Sequence, residues 1–314
     1  MIVVTGGCGF IGSNLVHALN SRGRTDVIVV DDLRDGKKFI NLAGASFADY
    51  YDHQEFLSHF DRLAGEGKGI EAVYHLGACS DTMEWDGQLM MAMNFQFSRE
   101  LLNACDRYGT PFIYASSASV YGLNEFCSEA PEYERPLNVY AFSKLAFDQH
   151  VRQRMATLGS RIVGLRYFNV YGPREQHKGR MASVMYHFNA QLAAGGSVCL
   201  FGASHGVAAG EQERDFVYVD DVVQQTLWFG EHPTATGIFN CGTGRTARFN
   251  DVAEAVIAWH GKGAISYVPF PPELLPAYQN RTCADLGRVR AAGFTHEFHD
   301  IKAGVGAYLD WLQG

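Results

Sequence analysis

The sequence contains no CxxC pair, and its seven cysteines (Cys8, Cys79, Cys105, Cys127, Cys199, Cys241 and Cys283) are scattered and odd in number. That pattern excludes a disulfide framework and a zinc site of ordinary ligand spacing, so no metal is expected. The thiols read as reduced, as in a cytoplasmic protein. Excess positive charge is also lacking: 26 Lys and Arg stand against 34 Asp and Glu, a formal charge of −8. Neutralising a phosphate backbone needs a basic face, so no general nucleic-acid partner is expected. A local basic pocket for a small anion remains open. No apolar run reaches membrane-spanning length, and no membrane partner is expected. The run Ile2-Val3-Val4 follows Met1 at once and reads as a core strand, so no targeting segment is expected. Internal repeats and low-complexity stretches are absent.

What is present is an alternation of short β-branched runs and longer amphipathic stretches. Candidate strands are 2–5, 27–30, 72–75, 112–116, 162–167 and 238–241, and candidate helices include 13–21 and 98–107. Strand and helix in alternation predict an α/β fold with a Rossmann-type, doubly wound parallel sheet. Continuous apolar strands such as Val27-Ile28-Val29-Val30 fit a sheet covered on both faces. The alternation fades after about Gly172, in Gly/Ala-rich stretches and a Pro-rich connection at 269–276. The expected layout is a dinucleotide-binding domain over 1–171, with returning segments near 215–260 and 291–314. A smaller substrate-binding lobe is expected over 172–214 plus about 262–290.

The first strand runs into Gly6-Gly7-Cys8-Gly9-Phe10-Ile11-Gly12, a GxxGxxG variant of the dinucleotide fingerprint. Gly6 permits a tight turn, Gly9 lets the backbone approach a pyrophosphate, and Gly12 lets the helix pack close to the strand. Phosphates then sit at the positive end of the helix that begins near Phe10. A second strand ends in Asp31-Asp32, where a carboxylate accepts hydrogen bonds from the adenosine ribose. Asp31 alone favours NAD, because it repels a 2′-phosphate, whereas Lys37 and Lys38 can neutralise one. These residues leave NAD and NADP both open.

Tyr140-Ala141-Phe142-Ser143-Lys144 is YxxxK. On a helix the two residues share a face, and a cation beside a phenol favours phenolate, which is expected to lower the Tyr140 pKa. Such a tyrosine exchanges a proton with a substrate hydroxyl while a hydride moves to or from nicotinamide. A strand ending in Ala115-Ser116-Ser117 places a serine at the ligand crevice of a parallel sheet.

This set of residues resembles the extended short-chain dehydrogenase/reductase family over nearly the whole chain. The resemblance implies that Ser117 contacts the substrate hydroxyl, Tyr140 is the acid/base, and Lys144 tunes it. Dehydratases of the family carry an Asp-Glu pair where Ala118 and Ser119 stand here, so epimerisation or reduction is expected instead. Glu84-Trp85-Asp86-Gly87, Pro136-Leu137-Asn138-Val139-Tyr140 and Arg166-Tyr167-Phe168-Asn169-Val170-Tyr171-Gly172-Pro173-Arg174-Glu175, continuing to His177-Lys178-Gly179, resemble one epimerase branch. That branch inverts C6 of an ADP-linked glycero-manno-heptose through a transient ketone with bound NADP, for lipopolysaccharide inner-core precursors. An alternative is a UDP- or GDP-hexose 4-epimerase or reductase of the same family.

The same resemblance implies a second acid/base at Lys178, which on charge pattern alone is a loop lysine. It implies cofactor contacts from Gly6, Gly9, Phe10, Ile11, Gly12, Asp31, Asp32, Lys38, Leu76, Gly77, Ala78, Cys79, Ser80, Asn94, Lys144, Val170 and Lys178. Substrate contacts are implied for Ser117, Asn169, Arg180, His187, Phe201, Gly202, Ala203, Ser204, Arg214 and Tyr278. It further implies a homo-oligomer, a pentamer. The chain departs from the pattern at His53, at Arg180 and in a longer 202–213 segment.

Overall fold

The computed structural model describes residues 1–65, 67 and 69–314. The β-branched runs form one seven-stranded sheet. Its strands are Ile2–Thr5 (β1), Val27–Asp31 (β2), Asp49–Asp52 (β3), Ala72–His75 (β4), Phe112–Ser117 (β5), Ile162–Tyr167 (β6) and the outer strand Gly237–Cys241. The order across the sheet is the outer strand, β6, β5, β4, β1, β2, β3. β1 pairs in parallel with β2 on one side and β4 on the other, with Val3 opposite Ile28 and Val73. The winding reverses between β1 and β4, and in such sheets ligands bind at the carboxyl ends of strands at that reversal.

β3 is not among the expected strands. Asp49-Tyr50-Tyr51-Asp52 carries no apolar run because it is the sheet edge, exposed or half-buried along its length. Backbone pairing to β2, with Val29 opposite Tyr50, makes it a strand.

The chain divides into two compact units. The first holds residues 1–120, 138–166 and 223–239. Its helices include Phe10–Ser21 (α1), His53–Gly65 (α2), Gly87–Met91 (α3), Phe97–Tyr108 (α4) and Val139–Arg154 (α5). Phe56, Phe60 and Leu63 of α2, Leu101, Leu102 and Cys105 of α4, and Phe147 and Val151 of α5 share one buried cluster with Val3, Val73, Phe112 and Ile162 of the sheet. Burial of side chains of this size is worth about 1.5–3 kcal/mol each, which is why these strands read as continuous apolar runs.

The second unit holds residues 121–137, 167–222 and 240–314, more than the lobe expected over 172–214 and 262–290. Packing gives the reason. Val305, Tyr308 and Leu309 of the helix Ile301–Gln313 lie in one cluster with Val252, Ala253 and Val256 of Phe249–His260 and with Met185 and Phe188 of Val184–Ala193. Residues 249–260 and 301–313 thus contribute to this second core, while 223–239 belongs to the first unit.

Candidate active site

The β1–α1 junction forces its glycines by contact. Gly6 has φ +67, and a Cβ there would sit 2.6 Å from the Gly77 nitrogen. A Cβ on Gly12 would lie 2.0 Å from the Gly6 carbonyl oxygen. The helix can begin this close to the strand only with hydrogen at both positions. Gly9 is the N-cap of α1, whose first turn carries no acidic residue. No side chain caps this end and no acid neutralises its positive dipole, which fits a pyrophosphate.

Asp31 ends β2 beside this turn. Its carboxylate accepts from the Cys8 N–H at 2.7 Å and from the Lys38 ammonium at 2.6 Å. Both side chains of that ion pair are largely buried, at 6% and 18% exposure. Asp32 is half-buried and binds the Arg34 N–H at 2.7 Å. Residues 76–80 (Leu76, Gly77, Ala78, Cys79 and Ser80) form the loop after β4. Between α3 and α4 one extra residue widens the helix into a π-turn, Ala92–Gln96, a feature often found at functional sites. It directs Asn94 inward, where the carboxamide accepts from the Cys79 N–H (2.8 Å) and donates to the Cys79 carbonyl (2.9 Å) and to Ser143 Oγ (3.0 Å). Asn94 thus ties the 76–80 loop to α5.

The helix α5 starts on an Asn138 cap that accepts from the Ala141 N–H at 2.8 Å. It carries Tyr140 and Lys144 at its first two turns. The Ser117 hydroxyl faces the Tyr140 phenol, an interaction that favours phenolate. Ser117 Oγ itself accepts from Ser119 Oγ at 2.9 Å and from the Ser119 N–H at 3.2 Å. A line of hydroxyls therefore runs from Ser119 through Ser117 to the phenol. Ser119 occupies a position whose sequence meaning was only the missing carboxylate.

The expected lowering of the Tyr140 pKa is corrected here. Burial is the largest influence and pushes the phenol up; Ser117 pulls it down, and nearby Cys79 adds to the rise. The Lys144 ammonium instead donates to the Ala115 carbonyl at 2.9 Å. Lys144 is nearly fully buried, and that burial pushes it down to about 8 against the opposing pull of Asp148. The cation is held on the strand that carries Ser117, and hydrogen bonding alone favours the phenolate.

The sequence reading missed the next turn of α5. Tyr140, Lys144 and Asp148 recur every four residues, and Asp148 is fully buried. Its carboxylate accepts from Tyr114 Oη (2.9 Å), Ser116 Oγ (2.9 Å) and Arg166 Nε (3.0 Å). Gly164 of β6 makes room for the phenol, since a Cβ there would lie 2.5 Å from Tyr114 Oη. Asp148 and Lys144 thus grip consecutive residues of β5, fixing the register in which Tyr140 meets Ser117.

The remaining expected site residues belong to the second unit. Asn169 and Val170 lie in the short strand Asn169–Tyr171, and Lys178 and Arg180 in the 3₁₀ turn Gln176–Met181. His187 is on Val184–Ala193, capped by Ser183. Phe201 ends the strand Val198–Phe201, and Gly202, Ala203 and Ser204 follow it. Arg214 is 7% exposed and lies over two rings, 4.9 Å from the centre of Tyr278 and 5.6 Å from that of Phe249. No carboxylate among the described residues pairs with it, and burial lowers its pKa. A guanidinium held this way is suited to an anionic ligand such as a diphosphate.

A glycine-rich strand–helix turn and a serine–tyrosine–lysine set on one parallel sheet define a nicotinamide-dependent enzyme of the short-chain dehydrogenase/reductase type. The chain belongs to the NAD dependent epimerase/dehydratase family, whose model matches residues 2–242. It is 59% identical over 311 residues to an ADP-L-glycero-D-manno-heptose-6-epimerase of Alkalilimnicola ehrlichii, covering 99% of this chain and 97% of that protein. The crystal structure of the Helicobacter pylori enzyme of the same name matches with a TM-score of 0.84 at 30% identity, covering 99% and 96% of the two chains. A UDP-glucose 4-epimerase of Thermus thermophilus, solved with NAD, matches with a TM-score of 0.79 at 27% identity, covering 100% and 99%.

Proposed function

We infer that the protein is an epimerase that inverts C6 of an ADP-linked glycero-manno-heptose through a transient ketone, in the making of lipopolysaccharide inner-core precursors. The observation that carries this reading is the 59% identity along 99% of the chain to a protein of that name. The hydroxyl line Ser119–Ser117–Tyr140 supplies the matching chemistry.

Gly6, Gly9, Phe10, Ile11, Gly12, Asp31, Asp32, Lys38, residues 76–80, Asn94 and Val170 would hold a dinucleotide, and a bound nicotinamide supplies a hydride acceptor that later returns the hydride. NADP is the cofactor of this reading, because the Lys38 ammonium pairs with the Asp31 carboxylate that would otherwise repel a 2′-phosphate. Tyr140, as phenolate, takes the proton of the substrate hydroxyl and becomes the phenol, and Ser117 favours that phenolate before the transfer. Lys144, held on Ala115, keeps positive charge at the strand end at pH values below about 8. The ketone is planar at C6, so inversion requires reduction from its other face. The proton then reaches oxygen from a different direction, which calls for a second acid, and Lys178 takes that role. Asn169, Arg180, His187, the 201–204 segment, Arg214 and Tyr278 hold the nucleotide sugar, Arg214 on the diphosphate. The reading takes the protein as a cytoplasmic homo-oligomer, a pentamer, which light scattering would check.

The test is to supply purified protein with one C6 epimer of the ADP-heptose. The expected result is conversion to a mixture of both epimers with no net consumption of NADPH. No epimerisation even with NADP supplied would overturn the reading. Stoichiometric NADPH loss would make it a reductase, and turnover of UDP-galactose a 4-epimerase.

A further inference from the structure

Loop 172–183 carries Lys178, and its backbone is unusual. Gly172 (φ 141), Arg174 (φ 71) and Gly179 (φ 53) all take left-handed conformations. For the two glycines this is easy, but Arg174 is a non-glycine residue in a sparsely populated region and persists only where the surroundings hold it. Its guanidinium lies 5.6 Å from the centre of the Trp311 ring, with Asp220 and Tyr218 near it. Segments held in strained conformations cluster at functional sites.

One side chain closes this loop. Glu175 is fully buried. Its Oε1 accepts from Ser183 Oγ at 2.6 Å and from the Gly172 N–H at 3.4 Å, and its Oε2 accepts from the Ser183 N–H at 2.6 Å. A single carboxylate therefore joins the first and last residues of the loop. Its backbone carbonyl accepts from the Lys178 N–H at 2.9 Å, starting the turn that carries the lysine. The groups facing Glu175 are Ser183, the Lys178 ammonium and the Tyr308 phenol of the helix Ile301–Gln313. Glu175 is in turn a charged group that faces Lys178.

We propose that Glu175 is a positioning residue for the epimerisation: its buried carboxylate closes loop 172–183 and holds Lys178 in place as a charged acid. The proposal rests on the reading of Lys178 as the second acid/base. Burial pushes the Lys178 ammonium toward the neutral form, and Glu175 opposes that push. A carboxylate left buried without serving a ligand or a charge is costly. Three hydrogen bonds and the Lys178 cation work against that cost, although burial still holds the Glu175 carboxyl above the usual carboxylate range.

The experiment measures Lys178 directly. Lysine acylation as a function of pH, read by mass spectrometry of the Lys178 peptide, gives the pH at which the amine loses its proton. In Glu175→Gln that midpoint is expected to fall by about one unit or more, the size of effect an adjacent opposite charge exerts. The kcat should fall by about tenfold or more, a part of the roughly 10²–10⁴ that a general acid–base group contributes, with KM changed much less. Glu175→Asp, which keeps the charge, should restore part of both. If Glu175→Gln does not fold, Ser183→Ala removes one donor and should move the midpoint in the same direction by less. A Lys178 midpoint unchanged in these variants overturns the proposal. Lys178→Met separates the two claims: wild-type turnover in that variant removes the acid/base role, while the acylation midpoint still decides what Glu175 does to Lys178.

Discussion

Asp148 and Arg166 form an ion pair in which both side chains are 0% exposed, with Nη2 2.8 Å from Oδ2. Tyr114 and Ser116 complete the carboxylate's hydrogen bonds, so the pair fastens α5 to β5 and β6 directly behind Lys144. Replacing Asp148 by Asn leaves the guanidinium without its counter-charge. Loss of one partner of a buried pair costs about 3–5 kcal/mol, and urea denaturation should show a loss of that size. The double variant Asp148→Asn with Arg166→Met should recover part of it, because no lone charge is then buried.

Tyr140→Phe removes the proton-exchanging oxygen and keeps the ring. The fold should be unchanged by circular dichroism, and kcat should fall by about 10²–10⁴, the usual contribution of a general acid–base group. Ser119→Ala interrupts the hydroxyl line one residue further out and should cost less than Tyr140→Phe in the same assay.

The pH dependence of stability should carry a signature of His75. It is buried between Thr5 Oγ1 at 2.7 Å and Ser98 Oγ at 2.8 Å. Ser98 donates to the Asn94 carbonyl and so accepts from the ring Nε2–H, which leaves Nδ1 to accept from Thr5. Burial pushes its pKa down to about 3. The unfolded chain therefore binds a proton that the folded chain does not, between about pH 6.5 and 3. Stability should fall with acidification through that window, His75 contributing about 1.4 kcal/mol per pH unit. His75→Asn should flatten the slope; an unchanged slope in urea titrations at several pH values would count against this assignment.

Gly12→Ala places a methyl 2.0 Å from the Gly6 carbonyl oxygen, so α1 and β1 must separate. The variant should lose dinucleotide affinity in calorimetry and unfold at lower temperature. Gly36→Ala, where a Cβ meets nothing within 4 Å, is the control and should behave as wild type.

Lys38→Ala should weaken NADP binding by roughly tenfold or more, since hydrogen bonds to charged groups are worth about 1.5–3 kcal/mol. NAD binding should change little. Equal loss for both cofactors would show that Lys38 serves Asp31 and not a 2′-phosphate.

The sequence carried the parts of this molecule that depend on local chemistry. Gly6, Gly9 and Gly12 announced the turn because glycine is the residue that the contacts at Gly77 and Gly6 tolerate. The apolar strands announced themselves because both faces of the sheet are covered. Asp49–Asp52 did not, since an edge strand is set by pairing and needs no apolar side chains. The hydrogen bond of Lys144 to a carbonyl of β5 leaves no trace in a YxxxK motif. Asp148 and Glu175 were legible only as acidic letters; what distinguishes them is burial, which arises from packing between distant segments. The fourfold spacing of Tyr140, Lys144 and Asp148 was the one local clue to the first.

The sheet order has a consequence for synthesis. Its outer strand, Gly237–Cys241, pairs beside β6, although 69 residues separate their ends and many of these build the other unit. Domains tend to fold as units while the ribosome is still adding residues. A nascent chain that has released β1 through β6 still exposes the unpaired flank of β6, an invitation to pair with another chain. Closure waits until residue 241 has left the exit tunnel, so truncation or slow translation shortly before that point should aggregate this protein more than the same event after it.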